Sequence, residues 1–443
     1  MGGFRLLPLM FGVLWSFATR AESRVWLRNH TDEVLEIQTT VNSAKPWTEG
    51  DQWTPGAKSV HPGEVVAIAR FSRRRGLVDR DGATIVARIQ LESGVEGAEL
   101  RTLVRPSFCG TRIESGTGDK FSSHVNWTPE GHRFWIARAQ ESRFLWGIPF
   151  CQGGDERVEF LVEDLDGPKP ASPSAPDGLS VMTYNIWYLF GKPRHGERWK
   201  GIPSAVKGND VVVFTEAFKG KYRDRIVALL RDEYPHMTHV LDGGGAWVNG
   251  GVFIASKWPF EGLQQTASGL YQADQYFFDG SECSGEDCFA AKGIQYVAIR
   301  KHGRTFHIFA THLQSTSPVL RSAERAAARM MLQTKRVGTW VASKRIPPEE
   351  AVLIAGDLNV DANDPGMLSR ALTNLNAAMP KPVSLPRLSL MMRSPESRRE
   401  ALDHVLYSRA HLAPIEATQE TVFPPGLLSD HFPVRAVYSF EAE

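Results

Sequence analysis

Ala355-Gly356-Asp357-Leu358-Asn359, read with Ser429-Asp430-His431 near the C-terminus, decides the fold of this chain. Each polar cluster abuts an apolar run of strand character, Ala351 to Ala355 before the first and Phe432 to Phe440 after the second. Asp and Asn are poor strand residues, and carboxylates are seldom buried without a partner. Set at the ends of core strands, such groups are aimed at a metal, a phosphate or a water. The pattern recurs upstream. Ser180 to Tyr184 and Val211 to Phe214 are compact apolar strands, with Asn185 after the first and Glu216 just after the second; Phe306 to Ala310 leads into Thr311-His312. Gly251 to Ala255, Gly293 to Arg300 and Ala401 to Tyr407 read as further strands, the last with Asp403 inside it. Ala323 to Lys344 has the residue types and apolar spacing of a helix, preceded by Pro318 and ended before Pro347-Pro348. This alternation predicts an α/β domain that delivers polar residues at one sheet edge.

That domain begins at about Leu179 and runs to residue 443. The segment 167–178, GPKPASPSAPDG, is a stiff connector of prolines among small residues. Before it, residues 22–166 show short alternating runs such as Val34-Leu35-Glu36-Ile37 and Val65-Val66-Ala67-Ile68, separated by Pro-Gly and Asp-Gly turns. They predict an all-β sandwich-like domain without long helices. Its tryptophans, Trp26, Trp47, Trp53, Trp127, Trp135 and Trp146, are expected to fill that core; a rim for a membrane interface or a glycan is the alternative. Residues 1–21, with Arg5 before the apolar run Leu6 to Phe17 and Thr19-Arg20-Ala21 after it, read as a secretory signal. The run is short for a bilayer span, so an exported, soluble, extracellular product is expected.

Export permits disulfides, and there are four cysteines. Cys283 and Cys288 bracket a short polar loop, which leaves Cys109 to pair with Cys151; four cysteines allow three connectivities, and this one keeps each bridge within a domain. None has a zinc-ligand spacing with histidine. At 443 residues, 42% hydrophobic and 23% charged, the chain can bury a substantial core. Its net charge of +1 supplies no global field for nucleic acid, which is not expected as a partner. Asn29 and Asn126 begin Asn-X-Thr sequons.

The candidate site residues are Asn185, Glu216, His312, Asp357, Asn359, Asp403, Asp430 and His431. Singly, each has a structural explanation: a turn cap, a solvated turn acid, a satisfied core histidine, an edge-strand face. Jointly they supply what phosphodiester hydrolysis requires. A base takes the proton of a water, a cation or donor cluster stabilises charge on phosphorus, and the leaving oxygen is stabilised as it departs. Mg²⁺ suits the second task, being a hard ion bound by one or two carboxylates with its own waters.

The ordered motifs Thr183-Tyr184-Asn185, Phe214-Thr215-Glu216, Gly250-Gly251-Val252, Ser256-Lys257-Trp258-Pro259, Thr311-His312, Gly356-Asp357-Leu358-Asn359, Leu402-Asp403 and Ser429-Asp430-His431 resemble the endonuclease/exonuclease/phosphatase superfamily. Within it, Ser256 to Phe260, Ala291-Lys292-Gly293-Ile294-Gln295-Tyr296 and Ser343 to Pro347 leading into Val352 to Val360 look like a secreted neutral sphingomyelinase of the bacterial type. The resemblance implies a four-layered α/β sandwich of two packed mixed sheets flanked by helices. It further implies hydrolysis of sphingomyelin in membranes to ceramide and phosphocholine, peripheral contact with the lipid surface, and a monomer. By the same resemblance Glu216 is the principal carboxylate on Mg²⁺ (with Mn²⁺ or Co²⁺ as substitutes) and Asn185 lies close by. His431 is the base, oriented by Asp403; Asp430 sits beside the metal–water network. Asp357 and Asn359 contact phosphoryl oxygens, and His312 binds phosphate or assists the departing oxygen.

One departure stands out. Such sphingomyelinases often carry a long aromatic-tipped hairpin before Asp430-His431, whereas here Thr421 to Leu428 includes Pro424-Pro425. Phe423, Leu427 and Leu428 offer a smaller membrane contact or local packing; the β domain is another source. The competing functional readings are a secreted Mg²⁺-dependent nuclease on the same scaffold and a membrane-binding lytic protein driven by the β domain.

Overall fold

The computed structural model describes residues 22–42, 52–72, 83–91, 99–107, 110–116, 126–127, 134–141, 157–164 and 177–441, the last apart from 190–196, 244, 317–321, 384–387, 392–398 and 425–427. The signal segment, most of the Pro-rich connector, Cys109, Cys151 and Leu427 lie outside the described residues. The chain divides into two compact units, Met1–Leu165 and Asp166–Glu443.

Among its described residues the first unit is built from strands alone, in one sheet of six and one of five. Val25, Leu27, Ile37, Ile68, Phe160 and Val162 are buried in it. Trp26 is buried too, with the Arg24 guanidinium 5.5 Å from its ring centre, which fits the core-filling reading of that tryptophan. Asn29 is enclosed as well. Its amide donates to the carbonyls of Glu33 and Val60 at 2.7 and 2.9 Å, which removes it as an accessible glycan acceptor.

The second unit pairs two mixed sheets. One, of seven strands, is centred on Phe253–Ser256, Val211–Thr215, Gly178–Asn185 and Val434–Ser439; the other, of six, runs through Asp274–Phe277, Gly293–Lys301, Arg304–His312, Ala351–Asp357 and Asp403–Ser408. Strand alternation sorts their side chains into three apolar layers. Leu179, Val181, Val211, Val213, Phe306, Ile308, Ala310, Leu353, Ala355 and Val405 meet between the sheets. Met182, Tyr184, Val212 and Phe214 point outward beneath the helix Gly220–Leu230, and Phe309, Val352, Ile354 and Leu406 beneath the helices Ala323–Ser343 and Pro365–Leu375. Helix, sheet, sheet, helix is the four-layered sandwich.

This parity positions the site. Counting by twos from Val181, Ile308, Leu353 and Val405 puts Asn185, His312, Asp357 and Asp403 on the face between the sheets, each at a strand end. One sequence expectation changes here: the strand assigned to Ala401 to Tyr407 is Asp403–Ser408, so Asp403 opens it rather than lying inside it. The Ser389 hydroxyl accepts the backbone N–H groups of Leu402 and Asp403, which keeps the segment ahead of Asp403 out of the ladder. Three α-helices besides Ala323–Ser343 are present among the described residues, Ile202–Val206, Gly220–Leu230 and Pro365–Leu375. Pro365–Leu375 starts at an Asp364 cap with proline in its first turn, and ends at Asn376 in the left-handed conformation. Cys283 and Cys288 are joined by a disulfide, the local pairing anticipated from the sequence.

Candidate active site

All eight candidate residues gather at one end of the paired sheets, around Asp357. The register pairs Asp357 with His312 on one neighbouring strand and with Asp403 on the other. Its Oδ2 accepts the Asn185 amide at 2.9 Å and lies 3.7 Å from His312 Nε2 and 3.9 Å from His431 Nε2. Its Oδ1 accepts the Asn359 backbone N–H at 3.0 Å. His431 Nδ1 bonds Asp403 Oδ2 at 2.7 Å, so the ring is held by its far nitrogen while Nε2 faces the pocket. Asn185, His312, Asp357, Asn359, Asp403 and His431 are buried, whereas Glu216 and Asp430 are partly exposed, Glu216 with its Oε2 turned away from water.

Backbone ties lock these groups across the chain. Ser429 donates its hydroxyl to the Asn185 carbonyl at 2.6 Å and accepts the His431 N–H at 3.1 Å. The Glu216 carbonyl accepts the Tyr188 N–H, and the Ala217 N–H donates to Gly251. Three non-glycine residues here hold positive φ: Trp187 at 52°, Glu216 at 55° and Asn359 at 52°. Asn tolerates that conformation; Trp and Glu adopt it only where their surroundings impose it. For Trp187 the restraint is its N–H, held by the Asn185 side-chain oxygen at 3.0 Å.

Electrostatics divide the titrating groups. Burial, reinforced by Asp430, pushes the Glu216 carboxyl up to about 8. Burial and Asp403 push Asp357 up to about 6. Burial disfavours a charged His431, yet the charge and hydrogen bond of Asp403, with Asp357 and Asp430, hold its proton affinity well above the ordinary range. His312 goes the other way, held well below by burial and by the Lys292 and His431 charges. The two imidazoles are thus pushed in opposite directions, a separation typical of acid–base sites.

The donor set fits a hard divalent cation. Four carboxylates converge, Glu216 Oε2 is shielded from water without a hydrogen-bond partner, and the Glu216 and Asp357 carboxyls hold their protons unusually tightly. Carboxylate oxygens and an amide suit Mg²⁺ better than a thiophilic metal. Asp357, Asp403 and His431 offer ligand atoms within 4.8 Å of one another. Glu216 feels the charges of Asp430, His431 and Asp357 and the dipole of the Asn185 amide. The Asn185 nitrogen, rather than its oxygen, faces the carboxylates.

Three supporting residues, Lys292, its partner Asp287 and Ser389, were not singled out as site residues in the sequence. Lys292 is buried, donating to the Leu313 carbonyl at 2.7 Å and pairing with Asp287 at 3.1 Å; Asn359 gives an amide hydrogen to the same carbonyl. Ser389 fixes the approach to Asp403. A lysine opening an apolar strand was a usable signal for the first two; a lone serine between leucines gave none. Phe423 packs edge-on against Phe432 at 4.8 Å, and Leu428 packs on the outer core.

Residues 182–431 match the model of the endonuclease/exonuclease/phosphatase family. The chain belongs to that family. A sphingomyelinase C 2 of Leptospira interrogans is 35% identical over 232 residues, covering 47% of this chain and 34% of that protein. A Bacillus cereus sphingomyelinase C is 29% identical over 276 residues, covering 55% and 79% respectively. The chain thus spans about a third of the Leptospira relative and most of the Bacillus one. Among solved structures, Staphylococcus aureus beta toxin aligns with a TM-score of 0.52 and 26% identity, over 59% of this chain and 99% of that one. A mutant of that toxin, at 25% identity and a TM-score of 0.50 over 59% and 99%, was solved with bound magnesium ions. The matched region contains all eight candidate residues.

Proposed function

We propose that the protein is a phosphoric diester hydrolase of the phospholipase C type, an exported, Mg²⁺-dependent enzyme cleaving sphingomyelin at a membrane surface. The observation that carries the reading is the Asp403–His431 pair, 2.7 Å long, with its free Nε2 directed at the Asp357 carboxylate in a pocket shared with Glu216 and Asn185. The names of the relatives point to the substrate. Among the described residues no helix is long and apolar enough to cross a membrane.

In this reading Glu216, with Asn185 beside it and Asp430 at the opening, holds the cation, which when bound supplies positive charge at the phosphoryl oxygens. In its neutral form, which a bound cation would favour by opposing the imidazolium charge, His431 Nε2 takes the proton of a water as its oxygen attacks phosphorus. Asp403 keeps the proton on Nδ1 and stabilises the imidazolium that forms. Asn359 and the Asn185 amide donate to phosphoryl oxygens, while Asp357 orients Asn185 and the water. His312, kept neutral by burial and Lys292, donates to the phosphoryl or departing oxygen without bringing a charge of its own. The phosphorus–oxygen bond to ceramide breaks, the departing alkoxide takes a proton from solvent while His431 returns to solvent the one it accepted, and phosphocholine leaves with the water's oxygen on its phosphorus.

Incubating the protein with sphingomyelin vesicles and with plasmid DNA, each with Mg²⁺ or EDTA, tests this. Metal-dependent phosphocholine release without nicking is expected. Nicking without phosphocholine release would establish the nuclease reading instead.

A further inference from the structure

Five large apolar side chains stand exposed among the described residues, and two of them touch. Trp247 is 85% exposed and Phe289 49%, with ring centres 6.0 Å apart in an edge-on contact. The others are placed elsewhere: Leu229 on the helix Gly220–Leu230, Val383 after the edge strand Lys381–Pro382, and Ile415 bonded to Ser439, at the sheet end remote from Asn185.

The pair sits on a rigid support. Both Trp247 and Val248 donate their N–H groups to the Phe289 carbonyl at 3.1 Å, and Ala291 returns a bond to Val248 at 2.9 Å. The Cys283–Cys288 disulfide closes the loop that carries Phe289. On one side the support is tied to the Glu216 loop, because Asn249 donates to the Phe218 carbonyl and Ala217 to Gly251. On the other it runs into Lys292, whose ammonium bonds Leu313 beside His312. Two large rings are therefore held in water at the rim of the catalytic pocket, bracketed by Glu216 and His312. Lys219, the N-cap of the helix Gly220–Leu230, and Lys221 in its first turn follow directly after Phe218, whose carbonyl Asn249 holds, and bring two cations to this side of the support.

We propose that Trp247 and Phe289 form the surface by which the protein seats on a lipid bilayer, the rings entering the headgroup–acyl boundary while Lys219 and Lys221 meet phosphates. Trp combines an apolar body with one N–H donor and suits that boundary, and a paired, exposed apolar patch at a pocket rim marks an interaction site. Phe423 packs on Phe432 and Leu428 on the outer core, so among the described residues neither is one of the large exposed apolar side chains. The inference rests on the lipid-hydrolase reading and specifies where that enzyme meets its substrate.

The test uses the full chain and Trp247→Ser/Phe289→Ser, both solvent-facing changes; equal thermal midpoints verify the fold. Partitioning onto phosphatidylcholine–sphingomyelin vesicles in EDTA, where no hydrolysis intervenes, is expected to weaken about tenfold or more, the loss of one or two buried aromatics. Hydrolysis of a monomeric short-chain sphingomyelin with Mg²⁺ is expected to stay within about twofold of wild type. Vesicle partitioning within twofold of wild type would overturn the inference and assign the pair to a protein contact. If neither protein released phosphocholine from any substrate, the functional reading would fail, while the EDTA binding measurement would still decide this one.

Discussion

Replacing Gly356 with alanine bears directly on how the site is built. Gly356 has φ 149°, a region essentially reserved for glycine, and lies between Ala355 and Asp357 on the strand that carries the central carboxylate. A Cβ there would sit 1.8 Å from the Thr311 carbonyl oxygen and 2.9 Å from its carbon. Ordinary contact is about 3.5 Å, so the two strands have to part by about 1.5 Å. Thr311 faces Gly356 and His312 faces Asp357 in the parallel register, so the separation falls on that pair. Backbone strain and overpacking together remove about 2–6 kcal/mol, and a displacement of about 1 Å at a reacting group lowers turnover on the order of a hundredfold. Gly303 is the control, with φ 94° but no atom within 4 Å of the place a Cβ would take, so Gly303→Ala is expected to lose only about 1 kcal/mol and keep its activity. Urea unfolding followed by tryptophan fluorescence, with phosphocholine release alongside, reads both variants. A Gly356→Ala protein with the wild-type midpoint and turnover within threefold would refute the reasoning.

Asp403→Asn removes the carboxylate that orients His431, and kcat is expected to fall on the order of 10²–10⁴-fold with KM little changed, measured by steady-state phosphocholine release. His431→Ala abolishes hydrolysis while vesicle binding persists; lysis that survives it would move the activity to the β domain. Glu216→Gln is expected to raise the Mg²⁺ concentration needed for half-maximal activity at least tenfold, and direct Mn²⁺ binding by calorimetry should weaken in parallel. In EDTA, stability should fall as pH rises from about 5 to about 8. Glu216, Asp357 and His431 all hold protons in the folded state more tightly than in the unfolded one, so each proton lost late contributes a slope of about 1 kcal/mol per pH unit. Saturating Mg²⁺ should flatten that slope; a metal-free protein more stable at pH 8 than at pH 5.5 would contradict it.

Much of this arrangement is legible in the order of residues alone. Asn185, Glu216, His312 and Asp357 stand at the ends of apolar runs, and the alternation of period two that buries Val181, Ile308 and Leu353 also fixes the face on which three of them emerge. What stayed hidden depends on tertiary partners. Asp403 lies within an apolar stretch, and only the Ser389 hydroxyl, brought from outside, moves the strand start to it. Lys292 reads as a strand residue until Asp287 and the Leu313 carbonyl enclose its ammonium. The helix Gly220–Leu230 lacks a side-chain cap and opens on glycine, so its start carries no local signal. The left-handed backbone of Trp187 and Glu216 is likewise imposed by neighbours rather than by residue type.

The hydroxyl of Ser429 grips the carbonyl of Asn185 across 244 positions, at the edge of a central strand that forms early in the chain's order. A chain without the segment that carries Ser429 and His431 would therefore keep Glu216 and Asp357 but have neither the proposed base nor the clasp. In the proposed reading, competence arrives only when Val434–Ser439 docks beside Gly178–Asn185, so assembly of the sheet and assembly of the site are one event.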